Sequence, residues 1–207
     1  MEKLLESIEI LKESNVGTLV DTRIKEFKEI DRGSGDDLFN ELCFCVLTAN
    51  FNAEKCIMIQ REIGDEFLTL SEEELAKRLA GLGHRYPNTR AKYISESAKY
   101  KDSLKNIVHS SEGKELREWL VKNIKGFGYK EASHFLRNIG FDDYAIIDFH
   151  IVNILVRYNL IKRPKSLSKK RYLEIENVLK DIARKLDFSL AELDLYLWYT
   201  ETGKILK

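Results

Sequence analysis

The chain has 207 residues, 43% of them hydrophobic, which is enough for one large or two small packed domains. Lys and Arg (34) balance Asp and Glu (34), so no overall basic excess marks a nucleic-acid binder. With 2 prolines, 11 glycines and no run of about 18 uncharged apolar residues, the composition argues against a disordered chain and against a membrane span.

Met1-Glu2-Lys3-Leu4-Leu5-Glu6 reads as a charged helix start rather than a signal peptide, so a cytoplasmic, nucleoid-associated protein is expected. Leu4, Leu5, Ile8 and Leu11 form one face of a first helix, and Val16 to Ile30 makes a second amphipathic stretch. Asp31 to Asp36 reads as a loop. Leu38 to Ala49 is apolar nearly all round and predicts a central buried helix, followed by another from Ala53 to Ile63. Cys43, Cys45 and Cys56 are odd in number and form no CxxC pair, so they read as reduced core thiols. Three cysteines exclude an iron–sulfur cluster held within one chain, and a zinc site is not expected.

Ser71-Glu72-Glu73-Glu74 is a capping box that opens a helix ending at Gly81. Thr89 to Val108 predicts one long charged helix, and Glu112 to Asn123 another. After Lys130 the apolar spacing of Ala132, Phe135, Leu136 and Ile139 continues helical, with Gly140 as its C-terminal cap. Asp148 can cap the run Ile151, Val152, Ile154, Leu155. Ser168 caps a helix through Ala183, and Ser189 to Glu192 is a second capping box that opens the last one. Tyr144 to Ile147 is too short to count as a strand, so the chain reads as all-α. Two basic runs stand out. Arg90, Lys92, Lys99, Lys101 and Lys105 form one; Lys162, Arg163, Lys165, Lys169, Lys170 and Arg171 form the other. Each is compatible with a solvated helix face or with a polyanion contact.

The densest chemistry lies between Ile124 and Asn153. Gly126 and Gly128 permit a sharp reversal and leave backbone N–H groups uncovered at the start of the next helix, an anion site suited to a DNA phosphate. Any short turn between helices can use two glycines, so this pattern alone is not specific. Lys130 falls in the first turn of that helix, where a cation is electrostatically misplaced. A lysine must lose its proton to act as a nucleophile, and burial beside a positive helix end favours the neutral amine. Asp148 follows eighteen residues later. A carboxylate fixed as a helix cap can stabilise positive charge developing on a sugar and assist deprotonation of the lysine. A plain N-cap and an exposed lysine are the bland alternatives. His150 reads as structural.

Leu42 to Ala53, Gly81-Leu82-Gly83-His84-Arg85-Tyr86, the Lys125 to Gly140 block and Trp198 together resemble the archaeal-type 8-oxoguanine DNA glycosylase/lyases of the helix-hairpin-helix superfamily. The resemblance implies an all-α helix-hairpin-helix DNA glycosylase fold. Its two helical subdomains would be 1–30 plus 142–207, and 31–141 carrying the hairpin 124–130, with the active site in the cleft between them. It implies Lys130 as nucleophile and Asp148 as carboxylate. Asn50, His84 and Arg85 would fill the gap left by the extruded nucleotide and contact the orphaned cytosine, while Gly126 and Gly128 hold the backbone phosphate. Tyr86 (where relatives can have phenylalanine) and Trp198 would flank the extruded purine, Lys207 would lie at the lesion pocket, and Asp194 is a further contact. A monovalent cation would rest on the carbonyls of Lys122, Ile124 and Phe127. No organic cofactor or catalytic metal is implied. The expected partner is double-stranded DNA containing 8-oxoguanine, met by a monomer. Taken alone, Trp198 fits core packing, Asn50 a C-cap and His84-Arg85 polar loop positions equally well. An enzyme for another oxidised base and a non-catalytic DNA-binding module remain the alternatives.

Overall fold

The computed structural model describes residues 1–110 and 113–207. Among the described residues every regular element is helical. The chain runs α1 (Glu2–Lys12), α2 (Asn15–Arg32), α3 (Gly35–Thr48), α4 (Ala53–Ile63), α5 (Glu72–Gly81), α6 (Pro87–Ser97), α7 (Leu104–Ser110), α8 (Gly113–Asn123), α9 (Tyr129–Asn138), α10 (Phe149–Arg157), α11 (Lys169–Leu186) and α12 (Leu190–Thr202). Glu112, expected to begin the helix before the hairpin, lies outside the described residues.

Three of the capping expectations hold as full boxes or caps. Ser71 with Glu74 and Ser189 with Glu192 close reciprocal boxes, and Ser168 accepts from the Arg171 N–H. The helix after Lys130 ends as expected at Gly140 (φ +96°). Gly140 donates to the Arg137 carbonyl and Phe141 to that of Leu136, the paired bonds of a Schellman turn.

Two expectations need correction. The loop placed at Asp31 to Asp36 shrinks to Gly33 and Ser34, because α2 runs on through Arg32 and Ser34 caps α3. The Ser34 N–H donates to Asp37 Oδ2 at 2.7 Å and Asp37 N–H to Ser34 Oγ at 3.1 Å, so Gly35 to Asp37 become a first turn. The single helix expected from Thr89 to Val108 is broken by a 3-10 segment, Ala98–Ser103. Ser97 bonds back to the Tyr93 carbonyl and Ser103 to that of Tyr100, the local competition that weakens serine as a helix former. The tightened turn is anchored by Lys101 on Asp36 (3.7 Å) and Lys105 on the Gly33 carbonyl (2.7 Å).

The chain divides into two compact units, Ile30–Phe135 and Met1–Glu29 with Leu136–Lys207, and it passes between them inside α2 and α9. In the first unit, α3 is the core: Leu38, Phe39 and the run Glu41 to Ala49 are all buried. A helix apolar on every side is stable only when neighbours cover it, and α4, α6 and α7 pack on it. In the second unit, α1 packs on α11 and α12, and α10 packs on α12. The extended segment Tyr144 to Ile147 is buried there without a sheet. Its backbone is satisfied by side chains instead: Ala145 N–H donates to Glu176, Ile147 N–H to the Tyr172 hydroxyl, and that hydroxyl to the Ala145 carbonyl.

Candidate active site

The hairpin is fixed from below by two apolar plugs. Ile124 and Phe127 are buried, while Lys125, Gly126 and Gly128 between and beyond them are exposed. Gly126 sits at φ +85°, and a Cβ there would come within 2.6 Å of the Tyr93 ring. The position therefore needs glycine twice over, for its dihedral and for its ring contact. The sequence reading left the Gly128 N–H uncovered; it donates to Glu131 Oε2 at 3.2 Å. The carboxylate three residues on thus caps the helix that follows, as capping geometry favours.

Lys130 is the second residue of α9, and its side chain is 24% exposed with Nζ 4.0 Å from Glu131 Oε1. From Ala132 to Ile139 every residue of that segment is buried, so the lysine leaves the core where the helix begins. Cys56, fully buried, lies within the field of Lys130 and Arg90. Burial pushes its thiol up to about 12 against those two cations. It stays protonated near neutrality and is no rival nucleophile.

Asn50 and the turn His84 to Tyr86 meet around the C-terminus of α3. Asn50 is exposed in the left-handed region (φ +57°), one residue past the Ala49 C-cap of that helix. His84 is 4% exposed. Its Nδ1 accepts the Tyr86 N–H at 3.1 Å, which makes Nε2 the donor to the Leu47 carbonyl, also at 3.1 Å. Its ring lies 4.3 Å from that of Phe51. Burial lowers the imidazole pKa; the Leu47 carbonyl opposes this and Arg90 adds to it. Tyr86 is half-buried, with the guanidinium groups of Arg85 (5.1 Å) and Arg90 (5.5 Å) near its ring. Arg85 is exposed, whereas Arg90 is 7% exposed and donates to the Ala49 carbonyl.

Asp148 is the N-cap of α10, and its Oδ1 accepts both the His150 N–H (2.9 Å) and the Ile151 N–H (3.0 Å). The His150 ring meets Trp198 edge-on at 4.9 Å, and its Nδ1 lies 3.9 Å from Glu201, which also pairs with Arg157. Trp198 is half-buried, and its Nε1 has no hydrogen-bond partner although that atom is shielded from solvent. Asp194 is engaged elsewhere: Arg137 binds its Oδ2 at 3.0 Å, with both side chains nearly buried. Lys207 is half-buried.

Four residues take roles that their types did not announce: Glu131, Tyr93, Arg137, and Arg90, which read only as part of a basic run. Only Glu131 carried a local signal, its place three residues after a helix-start glycine. The others are recruited from distant segments and leave no mark in their own neighbourhood.

The architecture and the Gly-x-Gly hairpin feeding a lysine-bearing helix define a helix-hairpin-helix DNA glycosylase fold. A family model described as 8-oxoguanine DNA glycosylase matches residues 20–188. The 8-oxoguanine DNA glycosylase/AP lyase of Methanocaldococcus jannaschii is 54% identical over 206 residues, 99% of either chain, and that of Korarchaeum cryptofilum 52% over 209 residues, 100% of this chain and 99% of the relative. The crystal structure of the Methanocaldococcus jannaschii enzyme with a 15mer DNA containing 8-oxoguanine superposes with a TM-score of 0.96, covering 99% of this chain and 100% of that one. The 8-oxoguanine DNA glycosylase of Thermotoga maritima gives 0.94 at 48% identity, covering 100% of this chain and 99% of its own. The chain belongs to the 8-oxoguanine DNA glycosylase family.

Proposed function

We propose that this chain excises 8-oxoguanine from duplex DNA through Lys130 and then cleaves the strand as an AP lyase. The observation that carries the reading is the family match, which spans residues 20–188 and so includes both Lys130 and Asp148. The neutral Lys130 amine attacks C1′, the C1′–N9 bond breaks, and the base leaves after taking up a proton. Ring opening gives a Schiff base between Lys130 Nζ and C1′. That iminium acidifies C2′, loss of the C2′ proton expels the 3′ phosphate, and hydrolysis frees the lysine. Asp148 stands as the carboxylate that meets positive charge on the sugar, held rigid by its two backbone N–H donors.

The target base must leave the stack before C1′ is accessible. Tyr86 and Trp198 supply stacking faces for it. Lys207 lies at the lesion pocket. 8-Oxoguanine carries N7–H where guanine has a bare acceptor, so one acceptor aimed at N7 discriminates between them. Arg85 and Asn50 contact the orphaned cytosine. His84, with both ring nitrogens committed inside the protein, acts by setting the Arg85-Tyr86 turn. Asp194 serves the fold through Arg137. Gly126 and Gly128 receive the backbone phosphate, the Gly128 N–H once it is released by Glu131 Oε2. The carbonyls of Lys122, Ile124 and Phe127, at a helix end and the turn beyond it, are the hard oxygen donors a monovalent cation takes. That ion would neutralise the phosphate and perform no chemical step. The protein works as a monomer.

Borohydride trapping tests the reading on a duplex with one 8-oxoguanine opposite cytosine. The wild type should give a covalent protein–DNA adduct, and Lys130→Gln none. An adduct only with an abasic site would keep the lyase and discard this lesion.

A further inference from the structure

The chain is neutral overall, yet its charge is unevenly placed. From Phe149 to Leu173 there is no Asp or Glu, while Arg157, Lys162, Arg163, Lys165, Lys169, Lys170 and Arg171 are all present. Setting these seven cations aside from 34 Lys and Arg against 34 Asp and Glu leaves the remainder of the chain at −7. The acid-free stretch starts directly after Asp148. It comprises α10, the connection from Tyr158 to Ser168 and the first turn of α11.

This connection is built rather than loose. Its entry is a left-handed turn at Asn159 (φ +56°), with Leu160 N–H on the Leu155 carbonyl at 2.8 Å. Arg163 reaches back to Asn153 Oδ1 at 2.7 Å. Arg171 holds the Lys162 carbonyl at 3.1 Å and Glu174 at 3.0 Å. With the arginines used as struts, Lys162, Lys165 and Lys170 stand exposed and, among the described residues, carry no ion pair. The other basic run behaves differently: Arg90 is buried, Lys92 pairs with Glu96, Lys101 with Asp36, and Lys105 binds the Gly33 carbonyl. The first turn of α11 also lacks an acid, whereas α3, α5 and α12 each place Asp or Glu there. Cations at a helix N-terminus are unfavourable unless an external anion offsets them.

We propose that Lys162, Lys165 and Lys170 form a sequence-independent docking surface for duplex phosphates away from the lesion. The inference rests on the duplex-DNA reading above and adds a second contact to it. DNA fits because it presents one negative charge per ~1.7 Å of axis, and flexible ammonium groups meet phosphates as point charges. The nine residues of α10 separate the loop from Asp148. At ~1.5 Å rise per residue that is about 13 Å, roughly four base-pair steps, so one bound duplex spans both.

The test uses the triple variant Lys162→Gln, Lys165→Gln, Lys170→Gln on a duplex carrying a non-cleavable tetrahydrofuran abasic analogue. Dissociation constants are measured from 50 to 300 mM KCl. Each lost phosphate contact lowers the log–log salt slope by about 0.9, so the slope should fall by 2 to 3 and affinity at 100 mM by at least tenfold. Single-turnover excision at saturating enzyme should stay within twofold. An unchanged slope overturns the docking surface while leaving the enzyme reading intact. A tenfold slower saturated rate also overturns it, since the loop would then act on the chemistry. Absence of duplex binding by the wild type would instead remove the parent reading. Acetylation of the wild type gives an independent readout: duplex should protect these three lysines, and equal labelling with and without DNA refutes the surface.

Discussion

Both backbone bonds that fix Asp148 end on the same oxygen, so its capping and charge can be separated. Asparagine caps a helix about as well as aspartate, and Asp148→Asn should keep stability within about 0.5 kcal/mol. The charge that meets the developing oxocarbenium ion is gone, so single-turnover excision should fall by about 10²–10³-fold. A variant with wild-type rate would reduce Asp148 to a cap. His84 makes a pH prediction instead. Burial holds its folded pKa below the free value of 6.5. Above that pH the ring is neutral in folded and unfolded chains alike. Below it the unfolded chain binds the proton first, so stability drains away as pH falls. The melting temperature should drop between pH 7 and 5, and His84→Gln should flatten that drop; equal pH profiles would remove the assignment. These two residues also show what a sequence discloses. The partners of Asp148 lie two and three positions away and could be read directly. Those of His84 include Leu47, 37 positions distant, so its burial was invisible.

At the scale of elements, caps and apolar faces were legible because helices are local objects. The break at Ala98–Ser103 was not: it is anchored through Lys101 and Lys105 on the start of α3, a segment some seventy positions away. The hairpin lies between these cases. Its glycines announced a turn, but the ring beneath Gly126 belongs to Tyr93 on α6. Gly126→Ala forces alanine into a left-handed dihedral at a cost of about 1–2 kcal/mol and drives its Cβ into that ring. Duplex affinity and melting temperature should both decrease. Adding Tyr93→Ala relieves the clash but not the dihedral, so the double variant should recover only part of the loss. Full recovery would mean that the backbone there tolerates any residue.

At the scale of the whole molecule, one unit gathers the beginning, the middle and the end of the chain, and Arg137 joins all three. Its guanidinium lies 4.6 Å from the Phe27 ring centroid and 3.0 Å from Asp194 Oδ2. The residue types suggested neither contact, because the ion pair spans 57 positions and the side chains are 4% and 12% exposed. Asp194→Asn takes the Asp194 charge away from a buried guanidinium, and breaking such a pair costs about 3–5 kcal/mol. For a domain of this size that corresponds to a melting temperature lower by about 6–20 °C. Replacing both partners, Arg137→Met with Asp194→Leu, removes the uncompensated charge and should return most of the loss, since apolar substitutes for a buried pair are often neutral. Calorimetry on Arg137→Met, Asp194→Leu and the double variant gives the coupling energy directly. If Asp194→Asn melts within about 2 °C of the wild type while its KM for the lesion duplex rises, the carboxylate serves the base and not the fold.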